Sequence, residues 1–386
     1  MHPALTPRLR ILAVAHFTID AYSSFFLPVL PLLVVRLGLN YTMVGGLVAI
    51  ASLSSSFSQP LFGWWADRMH RPWFVILGPL VAAVFMSSIG LVDSYAGLVM
   101  LLLLGGLGVA AFHPQTASIA GASSPNRGVA MSFWITGGTL GWALGPLFAS
   151  TTVRLFGLHN TYLAAIPGLV LCAFLVPWFL RESAVPRTPR APTRLADLRP
   201  VAKPLAYLYG AVATRSAVSA GFATFLPLWA SERGWSVVAG GALTTLYLTL
   251  GALGGLAGGW FASRVGGHRV IRVSFLFAMP FFAAFFVLPQ PWSLAALLVG
   301  YFGLQTSLPV NVVLGQELSP AHAGTISSLL MGAAWGLGAL LIGPIGAFAD
   351  HAGLTRALML LSLLLVVGFA CASAFASLAQ RRTVSP

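Results

Sequence analysis

His16 and Asp20 are titratable residues deep inside the otherwise apolar stretch ILAVAHFTIDAYSSFFLPVLPLLVV, residues 11–35. Four residues apart, they share one helix face at pairing distance. Such a couple can share a proton, and its two titrations then belong to the pair. It can equally serve as a buried polar contact that fixes helix packing. Arg215 is a second deep charge, a permanent cation whose planar fork suits phosphate or carboxylate. It either binds an anionic ligand or balances Asp20. A third polar element, His113-Pro114-Gln115, sets ring and amide groups beside a proline expected to open the backbone ladder and free a carbonyl. SLPVN (307–311) repeats that proline element with Asn311 nearby. Gln59, Trp134, Gln305 and Trp335 complete the candidate lining, although tryptophans in apolar segments also serve packing. The chemistry on offer is proton exchange beside a small polar or anionic molecule.

These residues have to be held by a membrane. Charged residues make up 8% of the chain and hydrophobic ones 58%, against about 25% charged in an ordinary soluble domain. Residues 37–66, 73–92, 128–153, 237–263, 293–316 and 357–380 contain no Asp, Glu, Lys or Arg. Each reaches the roughly 20 residues that cross a bilayer. Twelve spans are predicted, near 10–35, 42–66, 73–92, 95–121, 128–153, 161–180, 204–230, 237–262, 269–288, 293–316, 324–349 and 356–379. Short turn-forming joints such as SSPNRG (123–128) and LPQPW (288–292) connect them. No cleavable signal is expected, because the first apolar segment is too long for one and no small-residue cleavage site follows it. Within such spans a central Asp costs roughly 2.5–3.5 kcal/mol, so Asp20 is expected to face a cavity.

The net charge of +13 raises the question of a nucleic-acid partner. With the N-terminus inside, the cytoplasmic segments hold sixteen Lys and Arg and the opposite side only Arg36, Arg154, Arg233 and Arg356. That bias is a topology signal, and no nucleic-acid partner is expected. Both termini are placed in the cytoplasm and the chain in the inner membrane. Cys172 and Cys371 lie in apolar spans, and His and Cys show no ligand spacing, so neither a disulfide framework nor a metal site is expected.

An internal repeat organises the spans. GWWADR (63–68) returns as GWFASR (259–264), Gly45-Gly46 as Gly240-Gly241, FLPVLP (26–31) as FLPLW (225–229), and Gly128 and Ser132 as Gly324 and Ser328. The offsets stay close to 196 residues. The fold class is therefore an all-α membrane protein of two pseudo-symmetric six-helix halves, residues 1–180 and 204–386. The Pro/Arg-rich stretch 181–203 is their linker. Parallel repeats of this kind place a substrate near the midplane and work by alternating access.

GWWADRMHR (63–71) resembles the signature loop of the major facilitator superfamily. HFTIDAYSSFFLPVLPLL (16–33), SSSFSQPLFGWWADRMHRPW (54–73) and AAFHPQTASIAG (110–121) are similar to its fosmidomycin-resistance branch. The resemblance implies a secondary transporter, and the branch implies proton-coupled export of small molecules, with the proton gradient as driving force and no cofactor. It also implies that Gly63, Asp67, Arg68 and Arg71 latch a cytoplasmic gate; as a bare charge cluster the loop would only fix orientation. The second copy has Ser263 in place of Asp67, so a symmetric double latch is not expected.

In GGTLGWALGP (137–146), Gly137, Gly141 and Gly145 share one helix face and permit tight helix contact, and Pro146 loosens the ladder beyond them. The stretch partly resembles the fifth-helix motif of drug–proton antiporters, with Ala149 and Ser150 replacing a glycine pair; plain helix packing explains it as well. The reading is a monomeric antiporter with Asp20 and His16 coupling protons and Arg215, His113 and Gln115 facing the substrate. The alternatives are a proton-coupled importer of a small metabolite and an integral-membrane enzyme acting on lipid. The enzyme is disfavoured because the eight carboxylates are scattered with no nucleophile–base motif, and a channel because interrupted helices suit a closed, alternating site.

Overall fold

A computed structural model describes residues 6–124, 127–179 and 195–384. The expected linker 181–203 lies outside the described residues as far as 194, and so do Pro125 and Asn126 of the SSPNRG joint. Among the described residues every regular element is helical. The helices are α1 (Pro7–Ser23), α2 (Leu30–Leu37), α3 (Tyr41–Ser52), α4 (Gln59–Ala66), α5 (Phe74–Ser87), α6 (Tyr95–Ala122), α7 (Arg127–Phe156) and α8 (Ala165–Phe179). They continue as α9 (Ala202–Ser231), α10 (Val237–Val265), α11 (Gly267–Val287), α12 (Trp292–Gln305), α13 (Ser307–Leu318), α14 (Ala323–Ser328), α15 (Ala334–Leu340), α16 (Ile342–Ala352) and α17 (Leu354–Val384).

Local chemistry sets several boundaries. Thr6 caps α1 by accepting from Leu9 N at 3.2 Å, with Pro7 at the first helical position, where a missing N–H costs nothing. Ser94 caps α6 by accepting from Gly97 N at 3.1 Å. Gly38 ends α2 at φ +62°, a conformation that any side chain would strain.

Ten helical runs are long and apolar enough to cross a membrane, from 18 to 31 residues each. The chain is thus a multi-pass membrane protein. The other two predicted spans correspond to α7 and α9, each of 30 residues but outside those ten. Glycine and threonine dilute the first, and Lys203 and Arg215 lie in the second.

Several spans are less regular than the sequence suggests. The first breaks after Ser23 into a 3-10 turn, Leu27–Val29, before α2. Wider π-helical turns, Leu53–Phe57 and Leu329–Ala333, interrupt the spans built from α3–α4 and α14–α15. Such turns often mark functional places in helices. Conversely, α6 runs as unbroken α-helix through Pro114, and α7 through Pro146. The interruption expected at Pro114 is therefore absent. Its counterpart near Pro309 exists, since the chain breaks between α12 and α13 at Thr306.

By its contacts the chain forms two units. The first takes in Met1–Asn40, Ile50–Pro189 and Leu226–Leu248. In it α1 lies directly on α7: a β-carbon on Gly137 would stand 2.5 Å from Ala13 O, and β-carbons on Gly141 and Gly145 would overlap Phe17 O and Ala21 O. The glycine stripe is thus a backbone-to-backbone seam. Ser24 Oγ donates across it to Trp142 O at 2.8 Å, and Tyr22 Oη ties α1 to α8 by donating to Ala164 O at 2.6 Å and accepting from Gly168 N at 3.0 Å.

The second unit takes in Tyr41–Ala49, Arg190–Phe225 and Thr249–Pro386. Asp350, near the end of α16, accepts from Tyr41 N at 2.7 Å, Thr42 N at 2.9 Å and Thr42 Oγ1 at 2.6 Å. A carboxylate from one helix thereby satisfies the free N–H groups at the start of α3, where the helix dipole also favours a negative charge.

Candidate functional site

The seam between α1 and α7 positions the first cluster. It brings the His16 ring onto the Trp134 ring, stacked with centroids 3.8 Å apart, and His16 Nδ1 within 2.8 Å of Trp134 O. One turn further along α1, Asp20 Oδ2 lies 3.2 Å from His16 Nε2, as the four-residue spacing predicts. From α6, His113 completes the cluster: its Nε2 lies 3.3 Å from Asp20 Oδ1 and 3.2 Å from His16 Nε2. His113 Nδ1 stands 2.7 Å from Val109 O in its own helix. Both Nδ1 atoms therefore face carbonyl oxygens, which only accept, and each must carry hydrogen. In the neutral rings both Nε2 atoms then present lone pairs to each other and to the carboxylate. The three groups are buried or largely buried, at 6%, 17% and 20% side-chain exposure for His16, Asp20 and His113. So many acceptors converging away from water require a proton or a cation among them.

The second cluster lies in the second unit around Arg215, which is 2% exposed. Arg215 Nη1 donates to Gln305 Oε1 at 2.7 Å. The Gln305 amide donates to Tyr301 Oη at 2.6 Å and Ser219 Oγ at 3.0 Å, and those two hydroxyls are 2.7 Å apart. The guanidinium carbon stands 5.6 Å from the centre of the Trp335 ring. Arg215 Nε has no partner, and neither has either polar atom of Asn311, a residue 1% exposed. Among the described residues no carboxylate pairs with Arg215. Asp20 is flanked by two histidines, whereas the Arg215 guanidinium keeps Nε unused.

Other predicted residues go elsewhere. Gln115 is buried, but its Oε1 accepts from Val75 N at 3.2 Å and ties α6 to the start of α5. Gln59 donates to Ser55 O at 2.9 Å within its own span. In the signature loop Gly63 packs beside Pro114, 3.4 Å from a β-carbon position to the proline ring. Asp67 caps the end of α4. Arg68 lies 3.8 Å over the Trp64 ring and donates to Trp64 O at 2.8 Å, whereas Arg71 is exposed. Arg264 lies over Trp260 at 4.9 Å, so the repeat extends to the side-chain pair that flanks Asp67 in one copy and Ser263 in the other.

Sequence reasoning missed Ser219, Tyr301 and Gly138. The first two had a signal: Ser219 follows Arg215 by four residues and Tyr301 precedes Gln305 by four, so each shares a helix face with a predicted residue. Gly138 had none. A β-carbon there would stand 2.6 Å from Asp20 Oδ2 and overlap His16 Nε2 and Cε1, so only glycine leaves the cluster room.

Among the described residues each unit of this multi-pass helical chain holds one buried cluster of charged and polar side chains. The Major Facilitator Superfamily model matches residues 12–343, and the chain belongs to that family. It is similar to the fosmidomycin resistance protein of Escherichia coli (strain K12), 26% identical over 353 residues that cover 89% of this chain and 86% of the relative. It is also 27% identical over 389 residues to an uncharacterised transporter of the same superfamily, YfnC of Bacillus subtilis (strain 168), covering 94% and 91%. A crystal structure of a bacterial homologue of the human lysosomal transporter Spinster, inward-facing and occupied, superposes with a TM-score of 0.80 at 18% identity over 99% of this chain and 98% of that one. The chain has the fold of these transporters and is not an enzyme.

Proposed function

We propose that the protein is a proton-coupled antiporter of the inner membrane that exports a small polar or anionic molecule or drug by alternating access. Its twelve spans form two six-helix halves, 1–180 and 204–386, with both termini and the 181–203 linker in the cytoplasm. The observation that carries the coupling is Asp20 bracketed by two imidazoles whose Nδ1 atoms are committed to backbone carbonyls. With a proton at the focus, one donor bridges two of the facing acceptors and relieves part of the repulsion among them. With the proton gone, three acceptors face one another, and the arrangement is stable only if water or a conformational change separates them. Loss and gain of one proton thus has a structural consequence, as a carrier requires. Arg215, with Nε unused and Asn311 unpaired in the same unit, supplies the complementary site for an anionic or hydrogen-bonding substrate. Fosmidomycin, the compound in the name of the E. coli relative, is the first compound to test.

The experiment compares pH-gradient-driven accumulation with substrate exchange in inverted vesicles. Asp20→Asn mimics a neutral carboxyl and removes the negative charge that holds the proton at the focus. It should keep exchange, which needs no net proton movement, and lose accumulation against a gradient. Full gradient-driven transport by Asp20→Asn would refute the coupling role, and accumulation only in right-side-out vesicles would turn the reading into import.

A further inference from the structure

We propose that His16, Asp20 and His113 form a binding site for a divalent transition-metal ion such as zinc or cobalt. The site coincides with the proton focus above, but the inference rests on geometry alone and stands whether or not protons are exchanged there. The three ligand atoms lie within 4.8 Å of one another, and the separations are narrower than that limit. Nε2 to Nε2 is 3.2 Å, and the two Nε2 atoms lie 3.2 and 3.3 Å from the oxygens of one carboxylate. Tetrahedral ligands at about 2.0–2.1 Å from zinc stand about 3.3–3.4 Å apart, so each Nε2 already stands at ligand spacing from the other and from one oxygen of the shared carboxylate.

The outer shell fits as well. A metal-ligating imidazole almost always donates its other N–H to a carbonyl or carboxylate, which fixes the tautomer that leaves a lone pair for the metal. Both rings do so, to Trp134 O at 2.8 Å and Val109 O at 2.7 Å. Gly138 leaves open the volume beside His16 Nε2 and Asp20 Oδ2 that a β-carbon would fill. Asp20 and His113 keep some exposure, 17% and 20%, which leaves room for a fourth, non-protein ligand. Two imidazoles and one carboxylate with an open position suit zinc, cobalt or nickel better than magnesium or calcium, which prefer all-oxygen sites.

The test uses the purified full-length protein in lipid nanodiscs, without substrate or gradient, titrated with Co²⁺ as an optical probe. One equivalent should bind with the visible absorption of four-coordinate cobalt and be displaced by Zn²⁺. His16→Gln and His113→Gln should each weaken binding by more than the roughly 10–100-fold that loss of an outer-shell partner costs. His351→Gln, at an exposed histidine elsewhere, should leave it unchanged. Absence of the one-equivalent cobalt spectrum in the unmodified protein would overturn the proposal without recourse to any variant, and so would binding that survives His113→Gln. Because no transport is measured, this failure would leave proton coupling standing, and a negative vesicle assay would leave the metal site standing.

Discussion

Gly137→Ala tests whether the seam between α1 and α7 is what aims His16. The added methyl would lie 2.5 Å from Ala13 O, and real contacts of this kind do not fall below 3.0 Å. The two helices must therefore part by at least half an ångström at this turn. Ala13 and Gly137 each lie three residues from the pair that matters, His16 and Trp134, whose Nδ1–O distance is 2.8 Å. The same parting stretches that bond to about 3.3 Å, beyond the usual 2.7–3.2 Å range. Overpacking of this size costs about 1–3 kcal/mol, and the loosened imidazole loses the partner that fixes its tautomer. Thermal unfolding in detergent should show a lower midpoint, and transport in vesicles should show a shifted pH profile before any large loss of maximal rate. Gly259→Ala is the control, since a β-carbon there meets nothing within 4 Å and alanine favours the helix. A Gly137→Ala protein with an unaltered midpoint and pH profile would show that the seam does not position the site.

Arg215→Gln should abolish binding of an anionic substrate while preserving insertion, because the remaining amide can still reach a network built of hydroxyl and amide groups. Equal affinity for acidic and neutral substrates in the unmodified protein would remove the anion role. Asp350→Ala strips three acceptor contacts from the start of α3 and should cost about 0.5–2 kcal/mol, the range for lost helix caps, read as a lower unfolding midpoint. No change there would mean that water replaces the carboxylate fully. Asp67→Ala should slow transport without preventing insertion, whereas Ser263→Ala, whose hydroxyl only donates to Trp260 O within its own helix, should not. Equal losses from both would contradict the asymmetry of the two loop copies.

How much was legible in the sequence follows from the range of the forces involved. Crossing a bilayer demands long uncharged runs, so the membrane class and most spans could be read directly from composition. The pairing of His16 with Asp20 was equally legible, because a four-residue spacing on a helix is a local fact. The glycine stripe announced close contact, but not that its partner would be the backbone of α1. Only the tertiary structure joined His113 to Asp20, across 93 residues, and directed both Nδ1 atoms to carbonyls so that the Nε2 atoms converge. Only it turned Gln115 away to Val75 N and gave Arg215 the partner Gln305. Pro114 shows the same limit from the other side. Its ring removes one N–H, yet α6 packs between α5 and α7 and continues through it, with His113 and Thr116 side chains bonding back to Val109 O and Phe112 O. Local propensity proposes a break, and packing on both sides decides against it. A sequence records which groups are able to ionise; which of them meet is decided by packing between helices remote along the chain.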